Sequence, residues 1–269
     1  MHCTANRRTF LIRGSVLIAG TSLMSLAFAK IEDINDAINK SGRQRMLSQR
    51  LTKAYLQMGQ GVAPEASRKI LAASIVTFEN QLTELSAFAP TAENKQVLQT
   101  MEKNWSTYKT LLSTTEPNPG AARNLMLQSD EMLALAQTAT VQLEKHSGTS
   151  SGKLVNIAGR QRMLSQRMAK YYQALQWGVA PPDGIAKLDL ARKDFVAGMA
   201  LLSAAPANTA KIQEGLALVQ QQWLFFDHAL QQFGEASAGK QLLLSNVATS
   251  SERILEVMDG VTALYQKLA

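Results

Sequence analysis

The chain is 269 residues long, with 28 basic and 21 acidic side chains for a formal charge of +7, and its one cysteine is Cys3. That inventory excludes a disulfide scaffold, a cysteine-ligated metal centre and attached c-type haem. Basic residues are scattered rather than massed, which argues against nucleic acid, and the mild positive excess favours small anions or acidic surfaces.

Residues 1–29 read as an export signal peptide. Arg7, Arg8 and Arg13 form a basic n-region, the stretch from Gly14 to Ala29 is apolar, and Ala27-Phe28-Ala29 is an A-x-A cleavage site. The apolar run is shorter than the about 20 residues a membrane span needs. Arg7-Arg8-Thr9-Phe10-Leu11 resembles a twin-arginine (Tat) signal, with an ordinary secretory (Sec) signal as the alternative. Cleavage would remove Cys3 and leave 25 basic against 21 acidic residues, or +4. No later stretch is apolar enough to cross a membrane, so the product is expected to be periplasmic and not membrane-spanning after cleavage.

The rest divides into two units, 30–147 and 148–269. In the first, helices are predicted at about 31–60, 65–87, 92–112 and 121–145. Gly59, Gly61 and Pro64 end the first, Pro90 precedes the N-cap Thr91, and Glu116-Pro117-Asn118-Pro119-Gly120 is a strong turn. Residues 147–152, SGTSSG, read as a flexible linker. In the second unit, helices are predicted at about 153–177, 184–203, 209–232 and 238–268. Strand signals are absent. The expected fold class is all-α: two tandem antiparallel four-helix up-down bundles packed as a pseudo-dimer. An even helix count returns each unit to its starting end, so the two can lie side by side and parallel.

Nine residues, GRQRMLSQR, occur twice, at 42–50 and 159–167, 117 residues apart. A repeat of that length marks an internal duplication. Lys53 and Lys170, Tyr55 and Tyr172, and the GVAP runs at 61–64 and 178–181 keep the same offset. Phe78 answers Phe195, Pro90 answers Pro206 and Trp105 answers Trp223, while most other positions have drifted.

On a helix, at about 100° per residue, Leu47, Leu51, Ala54 and Met58 share one apolar face, and Leu164, Met168 and Leu175 repeat it. Gly42, Arg45 and Gln49 fall roughly opposite, as do Gly159, Arg162 and Gln166, while Arg43 and Arg50 lie on a third face. Arg45 and Arg162 therefore point away from their own unit's core, each beside a glycine that permits close backbone approach. If the units pack through these faces, the two guanidiniums meet near a pseudo-twofold axis and repel unless an anion sits between them. Their planar forks suit nitrate, nitrite or a carboxylate. The alternative is that each pairs with an acid on a neighbouring helix or faces water.

The stretches AINKSGRQRMLSQRL and NIAGRQRMLSQRM resemble the signature of the periplasmic domain of nitrate/nitrite sensor kinases of the NarX/NarQ type, and of the related PilJ-type domain named for type IV pili chemotaxis transducers. The resemblance implies an antiparallel four-helix bundle working as a dimer. It also implies that the arginine immediately before the methionine binds nitrate at the dimer axis. Carried over, those residues are Arg45 and Arg162, with Gly42, Gly159, Arg50 and Arg167 also matching the motif. Sensors of this kind carry one such domain with membrane flanks, whereas this chain holds two copies. Lys40 in the first copy is Ile157 in the second, which makes the half-sites unequal.

Other chemistry is disfavoured. His146 and His228 sit at non-matching places in the repeats, and no E-x-x-H or H-E-x-x-H occurs, so no metal or other cofactor is expected. Ser48 and Ser165 have no histidine beside them and read as packing or hydrogen-bonding serines. Trp105 and Trp223 read as core anchors, and Met46 and Met163 as packing residues rather than copper ligands. The expectation is a non-enzymatic, exported sensor for a small oxyanion. Its ligand residues are Arg45, Arg162, Gly42, Gly159, Gln49 and Gln166, supported by Arg50, Arg167, Ser48 and Ser165. It would report to an inner-membrane sensor, chemoreceptor or transporter. The alternative is a ligand-free interaction protein that docks a chemoreceptor or sensor kinase.

Overall fold

The computed structural model describes residues 30–232 and 239–268; the export signal read at 1–29 lies outside them. Among the described residues the regular elements are all α-helices: α1 Ile34–Gly59, α2 Pro64–Phe88, α3 Ala92–Thr114, α4 Pro119–Ser147, α5 Ser150–Trp177, α6 Gly184–Ser203, α7 Ala210–Gln231 and α8 Lys240–Gln266. Short polar side chains start most of them. Asp33 accepts from the Asp36 amide, Thr91 from Asn94, Asn118 from Ala121, Thr149 from Gly152 and Thr209 from Ile212, the usual way to satisfy a first turn. Pro64 and Pro119 occupy first-turn positions where a missing N–H is harmless.

The join between repeats differs from expectation. Helix α4 runs to Ser147 and α5 starts at Ser150, leaving Gly148 and Thr149 between them. Gly148 is left-handed at φ 63° and its amide bonds the Glu144 carbonyl at 3.1 Å. Thr149 Oγ1 caps the Gly152 amide at 3.1 Å. What looked like a flexible SGTSSG linker is a capped turn, because serine and threonine serve helix starts as readily as they serve linkers.

Helices α1 and α5 form the centre and run parallel. At their starts Asn35 Nδ2 reaches Ser151 Oγ at 3.3 Å, and at their ends Gln60 Nε2 reaches the Gln173 carbonyl at 3.1 Å. Helices α2 and α4 flank α1, α6 and α8 flank α5, and α3 and α7 pack on α4 and α8. The result is two antiparallel bundles joined along their first helices. Each bundle holds a stacked aromatic pair. Phe78 stacks on Trp105 at 4.1 Å and Phe195 on Trp223 at 4.5 Å between ring centroids, contacts worth about 0.5–1.5 kcal/mol beyond their burial.

The candidate oxyanion site

Both motif arginines are fully buried, and they converge where α1 crosses α5. A Cβ built on Gly42 would stand 3.1 Å from Arg45 Nη2, 3.6 Å from Arg162 Nη2 and 3.9 Å from the Gly159 Cα. One built on Gly159 would stand 3.1 Å from Arg162 Nη2 and 3.5 Å from Arg45 Nη2. The glycines therefore let the two backbones approach and the guanidiniums lie over the crossing.

The arginines repeat one bonding pattern. Each turns Nη1 to the last helix of its own bundle and Nη2 to a backbone carbonyl of the other. Arg45 donates to Gln137 Oε1 at 2.8 Å and to the Asn156 carbonyl at 3.2 Å. Arg162 donates to Asp259 and to the Asn39 carbonyl at 3.2 Å, and also to Asn39 Oδ1 at 2.8 Å. Neither Nε has a hydrogen-bond partner in the protein. Burial, and after it the repulsion of Arg162, pulls Arg45 down from 12.5 to about 9. Burial pulls Arg162 down to about 10, with Asp259 opposing the shift. The two expected readings are thus split between the halves: Arg162 has a carboxylate of its own bundle, and Arg45 has only neutral acceptors.

The remaining expected residues fall around this pair. Gln49 and Gln166 make no hydrogen bond to either guanidinium; each donates Nε2 at 2.9 Å to a carbonyl of its own last helix, Ser129 for Gln49 and Ser251 for Gln166. They lock α1 to α4 and α5 to α8. Ser48 and Ser165 donate back to the Arg45 and Arg162 carbonyls at 2.8 and 2.9 Å. Arg50 crosses to Glu252, with Nη2–Oε2 2.5 Å, whereas Arg167 lies over the Tyr171 ring at 5.7 Å. Lys40 pairs with Asp36 and Glu84 at 2.9 and 2.8 Å, so the difference between Lys40 and Ile157 does not alter the arginine pair.

Two lysines tie the repeats together, and their partners were not legible in the sequence. Buried Lys53 of α1 crosses to Ser251 Oγ at 3.1 Å and Glu252 Oε1 at 2.5 Å on α8. Buried Lys170 of α5 crosses to Ser129 Oγ at 2.8 Å and Asp130 Oδ1 at 2.9 Å on α4. Tyr171 and Lys187 also hold Asp130. Both lysines keep the 117 offset, which was the available signal; their acids, Asp130 and Glu252, are 122 apart and fall out of that register.

A protein-family model described as the N-terminal region of type IV pili methyl-accepting chemotaxis transducers, PilJ, matches residues 26–140 and again 146–251. The chain belongs to the PilJ family. The first match ends inside α4 and the second inside α8, and the family description sets PilJ domains in chemotaxis transducers, a sensory and signalling setting. No curated protein and no solved structure matches the chain. Among its described residues this PilJ protein has no helix long and apolar enough to cross a membrane.

The carboxylates between the bundles should make the protein acid-sensitive. Burial opposes ionisation of Glu252, and Lys53 and Arg50 outweigh it, holding the carboxyl at about 2 against its usual 4.5. Asp130 and Asp259 are likewise held below the ordinary range by the cations that face them, against the effect of burial. A folded-state value below the unfolded one means the folded protein binds fewer protons. Stability is then fully present above about pH 4.5 and lost as pH falls toward 2, by on the order of 3 kcal/mol for Glu252 alone. Urea midpoints measured at pH 7, 4 and 2.5 should fall in that order, and Glu252→Gln should flatten the slope. A slope unchanged by that substitution would remove Glu252 as its source.

Proposed function

We propose that the chain is an exported sensory module that holds one small oxyanion, nitrate or nitrite, between Arg45 and Arg162, and that a membrane-bound chemotaxis transducer or related sensor reads the occupied state. The observation that carries this reading is a pair of fully buried guanidiniums converging over two glycines with one carboxylate in contact. An uncompensated buried charge is unfavourable by several kcal/mol, and an anion meets it. The guanidinium fork and a planar oxyanion share the geometry of paired N–H to oxygen bonds. An anion shared by Arg45 and Arg162 draws α1 and α5 together, so the signal is a change in how one bundle packs on the other.

Titration of the signal-free protein with sodium nitrate and nitrite against chloride, at constant ionic strength, tests this by calorimetry and thermal melting. At a hundredfold over Kd the ligand stabilises by about 2.7 kcal/mol, which for a chain of this size raises the melting temperature by about 5–10 °C. Arg45→Ala with Arg162→Ala should abolish the response while the far-ultraviolet helical signal persists. Absence of heat and of any melting shift with millimolar nitrate or nitrite would leave the seam as packing and docking surface.

A further inference from the structure

This inference rests on the oxyanion reading and concerns a break in symmetry between the last helices of the two bundles. The last helices of the two bundles correspond at an offset of 122. Ser129 and Ser251 accept the same bond from Gln49 and Gln166, and Asp130 and Glu252 receive Lys170 and Lys53. Thr140 and Thr262 both bond back to the carbonyl four residues earlier. Gln137 and Asp259 receive Nη1 of Arg45 and Arg162. Each pair keeps its charge except the last.

We infer that the seam is built for a single monovalent anion on the Arg45 side, with Asp259 as the chain's own fixed anion for Arg162 and Gln137 as the residue that selects for that charge. The neighbouring arginines follow the same division. Arg43 crosses the seam to Asp259 at 2.6 Å, while its counterpart Arg160 turns outward to Asp194 at 2.7 Å. The acid whose charge bears on Arg45 is Glu144, whose carboxylate is engaged by Asn156 Nδ2. Arg43, Arg45 and Arg162 against Asp259 and Glu144 leave one positive charge, which nitrate balances and a dianion overshoots. Gln137 suits this role because its amide carries an acceptor, now on Arg45, and two donors that a rotated amide can turn to an anion oxygen. A carboxylate at 137 would be acceptor-only and would take the anion's place.

Nitrate and sulfate titrations of the signal-free protein and of Gln137→Asp, at constant ionic strength, test the assignment. In the wild type, nitrate should bind one per chain and at least tenfold more tightly than sulfate. In Gln137→Asp, nitrate affinity should fall at least tenfold while the anion-free melting temperature holds or rises, since Arg45 gains a fixed partner. Asp259→Asn should do the reverse, lowering the anion-free melting temperature and bringing sulfate at least tenfold closer to nitrate. If Asp259→Asn does not fold, Gln137→Asp alone carries the test. Wild-type nitrate affinity in Gln137→Asp would overturn this inference and leave the oxyanion reading standing. Sulfate binding as tightly as nitrate to the wild type would overturn the charge count alone. A wild type that responds to neither anion would overturn both.

Discussion

Glu252→Gln should lower the stability of the protein by on the order of 3 kcal/mol, and Asp130→Asn by a similar amount. Each removes the carboxylate from a fully buried lysine, Lys53 in one case and Lys170 in the other. Breaking a buried pair from one side leaves an ammonium without its counter-charge, typically unfavourable by about 3–5 kcal/mol. The acids themselves retain 26% of their side-chain exposure, which places the effect at the lower end. Burial already pulls Lys170 down to about 8 against the opposition of Asp130. The decisive comparison is Lys53→Met in the Glu252→Gln background. An apolar pair of similar volume is tolerated where a lone charge is not, so the double variant should recover most of the lost urea midpoint. If both variants lose the same stability, the ion pair is not what ties α1 to α8.

Gly42→Leu, and with it Gly159→Leu, should separate the two first helices. A bare Cβ at 42 already meets Arg45 Nη2 at 3.1 Å and the Gly159 Cα at 3.9 Å, so alanine fits only by moving a guanidinium a few tenths of an ångström. Leucine adds three further carbons, and overpacking of this kind typically raises the free energy of the fold by about 1–3 kcal/mol. The loss should be accompanied by faster proteolysis at the repeat junction. It should also come with loss of any nitrate response even in variants that keep their helical content. A Gly42→Leu protein as stable as the wild type would mean that the close approach of α1 and α5 is not required.

Much of this architecture was legible in the chain. The 117-residue duplication, the proline and glycine breaks and the 3.6-residue periodicity located the helices, because each is a local property of a few neighbouring residues. The repeated glycine-arginine pair pointed to the crossing, since a glycine beside an arginine on a shared helix face permits a close backbone approach. What could not be read was which groups on distant helices meet the motif. Gln49 and Gln166 share a face with the arginines, yet they are captured by carbonyls of α4 and α8. The join at 148–149 was misjudged because capping and flexibility draw on the same residues. Gln137 and Asp259 went unnoticed because α4 and α8 align at 122 rather than 117, a shift that arises inside the second repeat after Trp223, so the decisive pair does not fall in one column.

The two-residue turn at Gly148 and Thr149 sets how the proposed oxyanion site should behave on dilution. When two separate subunits share a site, scarcity of protein empties it, because the subunits drift apart before the ligand does. Here the halves are tethered at a fixed local concentration. The ligand threshold should therefore be the same at nanomolar and micromolar protein, which would let a sparsely expressed molecule report a chemical level without also reporting its own abundance.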